Sequence, residues 1–335
     1  QAAGRILSQN LVSAIDGPPH DNPAVDGYAL RHEDLSQTTE TELSVEGRSA
    51  AGHPHFGEVL PGQCVRIFTG AVMPTGTDSV VMQEDVVISE NTIIIKSGLK
   101  FGANRRLQGE DTKAGDIALK QGQRLRPQDL GLAASIGHSE LKVYRPLRVG
   151  VFSTGDELAE PGDKLSDGAV FDANRQILIS LIMSLGAEVS DLGILPDEAT
   201  TVRKGLSEAA KRHDLLLTSG GVSVGSEDHV RGAVETLGHL HFWRLAIKPG
   251  RPIALGQIGD TAFVGLPGNP VAAMVCFIKF TRPLILGLSG STEKEPIFYP
   301  VTADFNYEKK AGRREWLRAR LEQEPGRAPI AILFQ

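Results

Sequence analysis

The pattern of apolar and polar positions changes character twice along the chain. Up to residue 146 the apolar residues come in short runs, and no 3.6-residue period persists. Val86–Ile95 reads as strand around a turn at Ser89-Glu90-Asn91. Cys64–Phe68 reads as a strand behind the turn signal Pro61-Gly62. Gly4–Ile15 predicts a short helix ending before Gly17-Pro18-Pro19, and Pro127–Gly137 predicts a turn or two of helix. This first zone is a β-rich module with a few helical connectors.

From 147 to 290, strand runs alternate with helical periods. Leu147–Ser153, Glu188–Leu192 and Asp214–Thr218 predict strands. Asn174–Leu185 places Ile177, Leu178, Leu181, Ile182 and Leu185 at helical spacing and closes on Gly186. Glu198–Arg212 and Asp228–Leu237 predict further helices. Leu240–Ile247, Pro252–Leu255 and Ala262–Leu266 predict strands. Pro270–Leu286 predicts a long apolar helix with proline in its first turn. This alternation predicts an α/β domain with a mostly parallel sheet covered on both faces, and ligands at the carboxyl ends of its strands. Residues 291–335 return to strand patterning at Ile297–Ala303 and Pro329–Phe334, around a basic turn at Lys309–Arg314.

Composition narrows the functional classes. With 41% hydrophobic and 23% charged residues, the chain can build real cores and is not a disordered segment. A net charge of -6 with pI ≈ 5.9 excludes a broad nucleic-acid footprint. The apolar run Val271–Ile278 stops at Lys279, too short to span a bilayer. Two cysteines, Cys64 and Cys276, exclude a disulfide scaffold and a four-thiolate zinc site. Their scarcity fits a reducing cytoplasm. The chain opens on Gln1 rather than Met, so a missing true N-terminus is expected and a removed leader stays open.

Six polar clusters could carry chemistry. The loop DGPPHDNPAVDGYAL, Asp16–Leu30, is stiffened by three prolines; Asp21 and Asp26 could face a cation, or be solvated turn residues. Arg105–Asp111 sets two arginines beside two acids, able to clamp an anion or simply to pair with each other. Ser153–Leu158, STGDEL, follows a buried strand and offers hydroxyls and carboxylates. Thr218–Asp228, TSGGVSVGSED, follows another. Gly220 and Gly221 could let backbone N–H groups approach an anion, while Ser219, Ser223 and Ser226 add hydroxyls. No Lys follows Gly225, so this is not a Walker A loop. Arg244–Pro252, RLAIKPGRP, gathers Arg244, Lys248 and Arg251, suited to phosphate or an oxyanion. Gly265–Pro270, GLPGNP, is explained by turn chemistry alone.

Taken in order, DGPPHDNPAVDGYAL, RIFTGAVMP, GED, STGDEL, TSGGVSVGSED, WRLAIKPGRP and GLPGNP resemble the molybdopterin molybdenumtransferase family. The resemblance spans essentially the whole chain. It implies a helical or linker N-terminal domain over 1–20 and 112–146, with a β-rich domain over 21–111 inserted into it. It further implies a molybdopterin-binding α/β domain over 147–290 and a C-terminal β-barrel, short for a complete one, over 291–335. The implied reaction takes adenylylated molybdopterin and molybdate, releases AMP and inserts molybdenum with help from Mg2+. The implied catalytic set is Asp26, Asp111, Glu157, Asp197 and Asp228, with Glu157 and Asp228 as metal ligands. The implied substrate-binding set is Thr69, Arg106, Ser219, Gly220, Gly221, Ser223, Arg244, Lys248, Pro267 and Pro270. His20, Pro23 and Val25 stand where the family usually has Phe, Ser and Met. Arg244 stands where Lys is common, and a planar fork contacts an anion differently from a point charge.

The implied assembly is a cytoplasmic homodimer that meets neither nucleic acid nor membrane, with a molybdopterin adenylyltransferase as a possible partner. Two other functions compete. An adenylyltransferase-like nucleotide enzyme would lack the N-terminal zone, and a gephyrin-like scaffold for a partner peptide would not need the acidic set. The resemblance also implies composite sites, with Asp26 supplied by one protomer and Asp228 by its partner. Mixing inactive Asp26→Ala and Asp228→Ala subunits tests this. Random exchange makes roughly half the dimers mixed, and one intact site in each restores about a quarter of normal activity. A mixture that stays dead after verified exchange rejects composite sites.

Overall fold

Strands that must hide apolar side chains on both faces need long apolar runs, and those that face water on one side alternate. Both kinds occur here. The structure is a computed structural model that describes residues 2–221 and 229–334, without the side chains of Phe242 and Trp243. It divides into two compact units. One comprises Gln9–Gln121 and Arg126–Leu141; the other comprises Gln1–Ser8, Gly122–Leu125 and Lys142–Gln335.

The first unit is built on six strands: β1 (Gly27–Leu30), β2 (Thr41–Ser49), β3 (Gln63–Ile67), β4 (Ser79–Met82), β5 (Val86–Ser89) and β6 (Thr92–Ile95). They lie in the order β4-β1-β3-β2-β6-β5. Leu30, Leu43, Cys64, Ile93 and Ile95 pack on one side, and Ala29, Ile67, Val80 and Met73 on the other. The expected β5–β6 hairpin turns through Glu90, which takes φ 46. Helix α1 (Pro127–Ser135) starts at a proline and is capped by Asp129, which accepts from the Arg126 N–H at 2.8 Å. The helix expected over Gly4–Ile15 is absent. Leu11–Val12 pairs instead with Ile117–Leu119, and in the other unit Ile6 and Leu7 bridge Arg124 and Val143. A backbone that finds cross-strand partners satisfies its N–H and C=O groups without a helix, and weak local propensity yields to that.

The second unit carries the α/β sheet: β7 (Arg148–Thr154), α2 (Ala173–Ser184), β8 (Glu188–Leu195), α3 (Ala199–Ala210), β9 (Leu215–Ser219), α4 (His229–Leu237), β10 (Gly238–Arg244), β11 (Pro252–Ile258), β12 (Thr261–Leu266), α5 (Pro270–Cys276) and α6 (Arg282–Leu288). The strand order is β8-β7-β9-β12-β11-β10. The first four run parallel, and β11 and β10 are antiparallel additions. Alternation sorts the side chains. Val149, Val151, Leu215, Leu217, Val264 and Leu266 face α2 and the α5–α6 helix. Phe152, Leu216 and Phe263 face α3 and α4. Each such strand is buried on both sides, so its polar residues can stand only at its ends.

α5 and α6 are one continuous helix joined by a π-turn at Phe277–Thr281. Its 19 residues, Pro270–Leu288, have mean hydropathy 1.7, so this helix is long and apolar enough to cross a membrane by length and composition. This corrects the sequence reading that stopped the apolar run at Lys279. The lysine continues the helix and lays its ammonium over the Phe298 ring at 4.6 Å. Ala273, Cys276, Phe277 and Ile285 are buried in the sheet's core, as in the core helix of a globular domain. Both thiols are free and buried, and burial pushes each pKa up to about 12.

Toward the C-terminus, β13 (Thr302–Ala303), β14 (Ala319–Glu322) and β15 (Ile330–Leu333) form an open three-stranded sheet, order β13-β15-β14. Only the end of the expected Ile297–Ala303 strand pairs; Ile297, Phe298 and Tyr299 are exposed. Arg314–Glu315 pairs with Ile247–Lys248.

At the opposite end of the sheet Asp214 precedes β9. Its carboxylate accepts from Arg145 at 2.7 Å, Arg148 at 3.0 Å and the Arg148 backbone N–H at 2.9 Å. The Arg145 hydrogen bond, ahead of the Arg148 bonds, holds the Asp214 pKa far below its ordinary value. A depressed carboxylate stabilises above its unfolded pKa, near 4, and that stabilisation is lost as pH falls through the folded value. Asp214→Asn should therefore be less stable than wild type by about 1–3 kcal/mol at pH 5. Urea unfolding at falling pH should show the gap closing below pH 4. A gap independent of pH would mean that the ion pairs contribute nothing.

Candidate functional site

The carboxyl ends of β7 and β9 and the first turn of α2 enclose a cavity of about 250 Å3. Thr154, Glu157, Asp172, Asn174, Ser219 and Gly220 stand on its wall. Local sequence explains why each is there. β7 ends in Thr154 because its apolar run stops at the edge of the core. Asp172 caps α2 by accepting from the Arg175 N–H at 3.1 Å, which puts Asn174 in the first helical turn. Gly220 and Gly221 adopt φ 90 and 63. A Cβ on Gly220 would lie 2.6 Å from the Thr154 carbonyl oxygen, and one on Gly221 would lie 2.5 Å from Thr154 Oγ1. Close approach to Thr154 therefore requires both glycines. The Gly220 N–H is already donated to Leu266 O at 3.2 Å.

Asn174, Ser219 and the GLPGNP turn form a directed chain. Asn174 Nδ2 donates to Ser219 Oγ at 2.8 Å and to Gly268 O at 2.6 Å. Ser219 Oγ donates on to Pro267 O at 3.2 Å. The first turn of α2 is held by Arg175, whose side chain is 3% exposed. Its guanidinium meets Asp172 at 2.9 Å and also pairs with Asp191 and Glu160. Burial alone would lower its pKa, but hydrogen bonds to Asp172, Asp191 and Glu160 outweigh that and raise it. It stays charged, and without its carboxylate partners it would be a stranded buried charge.

The sequence-derived residues fall into separate places. Glu157, Ser219, Gly220 and Pro270 line the cavity, Gly221 packs on Thr154, and Pro267 supplies the carbonyl that ends the hydrogen-bonded chain. Asp197 lies in the turn between β8 and α3, outside that wall. Arg244 closes β10 and is exposed. Lys248 stands 3.6 Å from Glu315, whose carboxyl is held low first by the Tyr307 hydroxyl and then by Lys248. Ser223 and Asp228 lie outside the described residues, as does the predicted helix start at Asp228.

In the other unit, Asp26 accepts from both Thr69 N–H and Thr69 Oγ1 at 2.8 Å, which lowers its pKa. Arg66 lies 4.9 Å from the Tyr28 and Phe68 rings beside them. Arg106 pairs with Glu110 at 2.5 Å and Asp111 at 2.8 Å, so its charge is met within its own loop. Asp21 is taken by Arg105 and the Gln108 N–H.

Sequence reading left Asp172, Asn174 and Arg175 out of the site. The signal was an aspartate two residues ahead of the helical period read from Asn174, which marks a cap. Among the described residues no three His, Cys, Asp or Glu side chains are placed to hold one metal ion. Glu157 is one carboxylate on the cavity wall, and Asp172 is committed to Arg175. The described residues thus do not complete a metal site.

Residues 1–137 match the family described as "MoeA N-terminal region (domain I and II)", and residues 150–287 match "Probable molybdopterin binding domain". The molybdopterin molybdenumtransferase of Haemophilus influenzae is 45% identical over 320 residues, covering 95% of this chain and 79% of that one. The chain belongs to the molybdopterin molybdenumtransferase family. The Nostoc sp. relative is 37% identical over 90% of this chain and 71% of its own. A solved MoeA protein structure from Pyrococcus horikoshii OT3 matches with TM-score 0.82 at 29% identity, over 99% of this chain and 82% of that one. In this member of the family, the cavity lies wholly within the matched molybdopterin-binding domain.

The loop bearing Lys248 is braced from below. Gly250 takes φ 97, and a Cβ there would sit 2.2 Å from Cys276 Sγ. Cys276 Sγ in turn donates to Gly250 O at 3.6 Å. Gly250→Ala should cost about 2–4 kcal/mol in urea unfolding, from overpacking and backbone strain together. Adding Cys276→Ala should recover part of that loss. No recovery would place the strain in the backbone alone.

Proposed function

We propose that this chain inserts molybdenum into adenylylated molybdopterin, taking molybdate and releasing AMP. The observation that carries the proposal is the 45% identity to a molybdenumtransferase across 95% of the chain, with the cavity inside the molybdopterin-binding region. The match over residues 1–137 favours this reading over a free-standing adenylyltransferase. In the proposed reaction the pyrophosphate link is hydrolysed, water supplying the new oxygen, and molybdate bonds through molybdenum to the two dithiolene sulfurs as one of its oxides leaves as water with the two thiol protons.

The chain's own residues have distinct parts in the proposal. Thr154, Asn174 and Ser219 bind and orient the organic part of the substrate. Arg244 and Lys248 meet the anionic part, and the Lys248–Glu315 pair opens as a phosphate or molybdate takes the ammonium. Glu157 acts on the reacting group from the wall. Asp26 with Thr69, Asp111 with Arg106, Asp197, Ser223 and Asp228 complete the proposed set. In the proposal Glu157 and Asp228 would hold Mg2+, which would neutralise phosphate charge. Homodimerisation, and handover of substrate from an adenylyltransferase, are proposed on the resemblance. A cytoplasmic location is proposed as well, and two free buried thiols fit a reducing compartment.

The deciding assay measures AMP release from adenylylated molybdopterin with molybdate and magnesium. Wild type should release AMP, and EDTA should stop it. Glu157→Gln should lower turnover at least about a hundredfold while leaving the melting temperature within about two degrees. No AMP from folded wild-type protein would sink the proposal. A variant that melts several degrees lower would make Glu157 structural instead.

A further inference from the structure

We infer that the cavity between β7, β9 and α2 reads the N–H edge of an amino-substituted nitrogen heterocycle, with Asn174 as the residue that specifies it. The inference rests on the proposed substrate, which offers such an edge in both its pterin and its adenine.

The argument starts from hydrogen-bond direction. The Gly268 carbonyl can only accept, so the amide nitrogen of Asn174 must face it. Ser219 Oγ spends its one proton on Pro267 O and therefore accepts from Asn174. The orientation of the carboxamide is thus settled by the backbone. Among the described residues Asn174 Oδ1 is left buried with no hydrogen-bond partner, and it can only accept. Thr154 Oγ1, on a residue 2% exposed, is likewise buried without a partner. Both residues line the cavity. Buried polar atoms are nearly always paired, and an unpaired group at a ligand cavity marks a partner that arrives with the ligand.

What arrives must bring hydrogen. An ionised phosphate or molybdate oxygen only accepts and cannot satisfy Asn174 Oδ1. The described wall offers an anion no cation. Its residues include Glu157, together with Asp172 already paired to Arg175, and no Lys, Arg or His. A neutral ring with N–H donors satisfies Oδ1, while the Thr154 hydroxyl can donate to an adjacent ring nitrogen or accept from an amino group. A site built to meet such donors rejects an analogue lacking them, because its own polar atoms are then stranded.

Calorimetric titration of the whole chain tests this with two matched pairs of probes. One pair is AMP and purine riboside monophosphate, which lacks the amino group. The other is pterin and 1,3-dimethyllumazine, which lacks the amino group and ring N–H. Wild type should prefer the donor-bearing member of one pair by about tenfold or more, and that pair names the ring. Asn174→Leu should bind both members of that pair about equally, while molybdate binding stays within about twofold of wild type. Thr154→Val, close in shape, should lose part of the preference and is the variant to use if Asn174→Leu does not fold. A wild type that prefers neither donor-bearing probe, or binds none, overturns the inference. So does a preference that survives in the variant, or a loss shared equally with molybdate. Titration reads binding without turnover. A chain that discriminates but releases no AMP keeps this inference and loses the proposed function, and the reverse result separates them the other way.

Discussion

A guanidinium with almost no access to water holds the site end of the α/β unit together. Arg175 cannot be left unpaired at that depth, so Asp172, Asp191 and Glu160 must converge on it. Asp172 begins α2, Asp191 lies in β8 and Glu160 follows β7, so one cation ties three consecutive parts of the fold. Cavity geometry follows from that knot. With the first turn of α2 fixed, Asn174 meets Ser219 and Gly268, and the carboxyl ends of β7, β9 and β12 acquire a common polar wall. The net stability of such a cluster is modest, because desolvation offsets attraction; what it supplies is position.

The α/β core was largely legible in the sequence because its code is simple. Val149/Val151 against Phe152, and Leu215/Leu217 against Leu216, alternate between two helix layers, and nothing local competes with that pattern. Gly4–Ile15 was misread because its pairing partners lie more than a hundred residues away, at Ile117–Leu119 and Arg124. Ile297–Ala303 has strand composition but little to pair with among the described residues. Lys279 looked like a break because charge was weighed without its aliphatic stem and its aromatic neighbours.

The candidate site was legible in its motifs and not in its wiring. TSGG and STGDEL follow buried strands, and topology places them together. Nothing in Arg106, Glu110 and Asp111 taken singly says that the three satisfy one another. Asn174 had no motif to announce it, since its meaning lies in a hydrogen bond to Gly268, 94 residues on. The paired glycines pointed to an anion in the sequence and to close packing on Thr154 in the structure. One residue type answers to both physical reasons, and only coordinates distinguish them.

The two cysteines fall one to each compact unit, Cys64 inside the β-rich sheet and Cys276 beneath the loop of Lys248. Burial holds both as thiols, so neither offers the thiolate that disulfide exchange or alkylation needs. Each becomes reactive only when the structure around it opens. The chain therefore carries two built-in clocks of local opening, and the rate at which each thiol is captured by a small electrophile reports the breathing of its own unit separately.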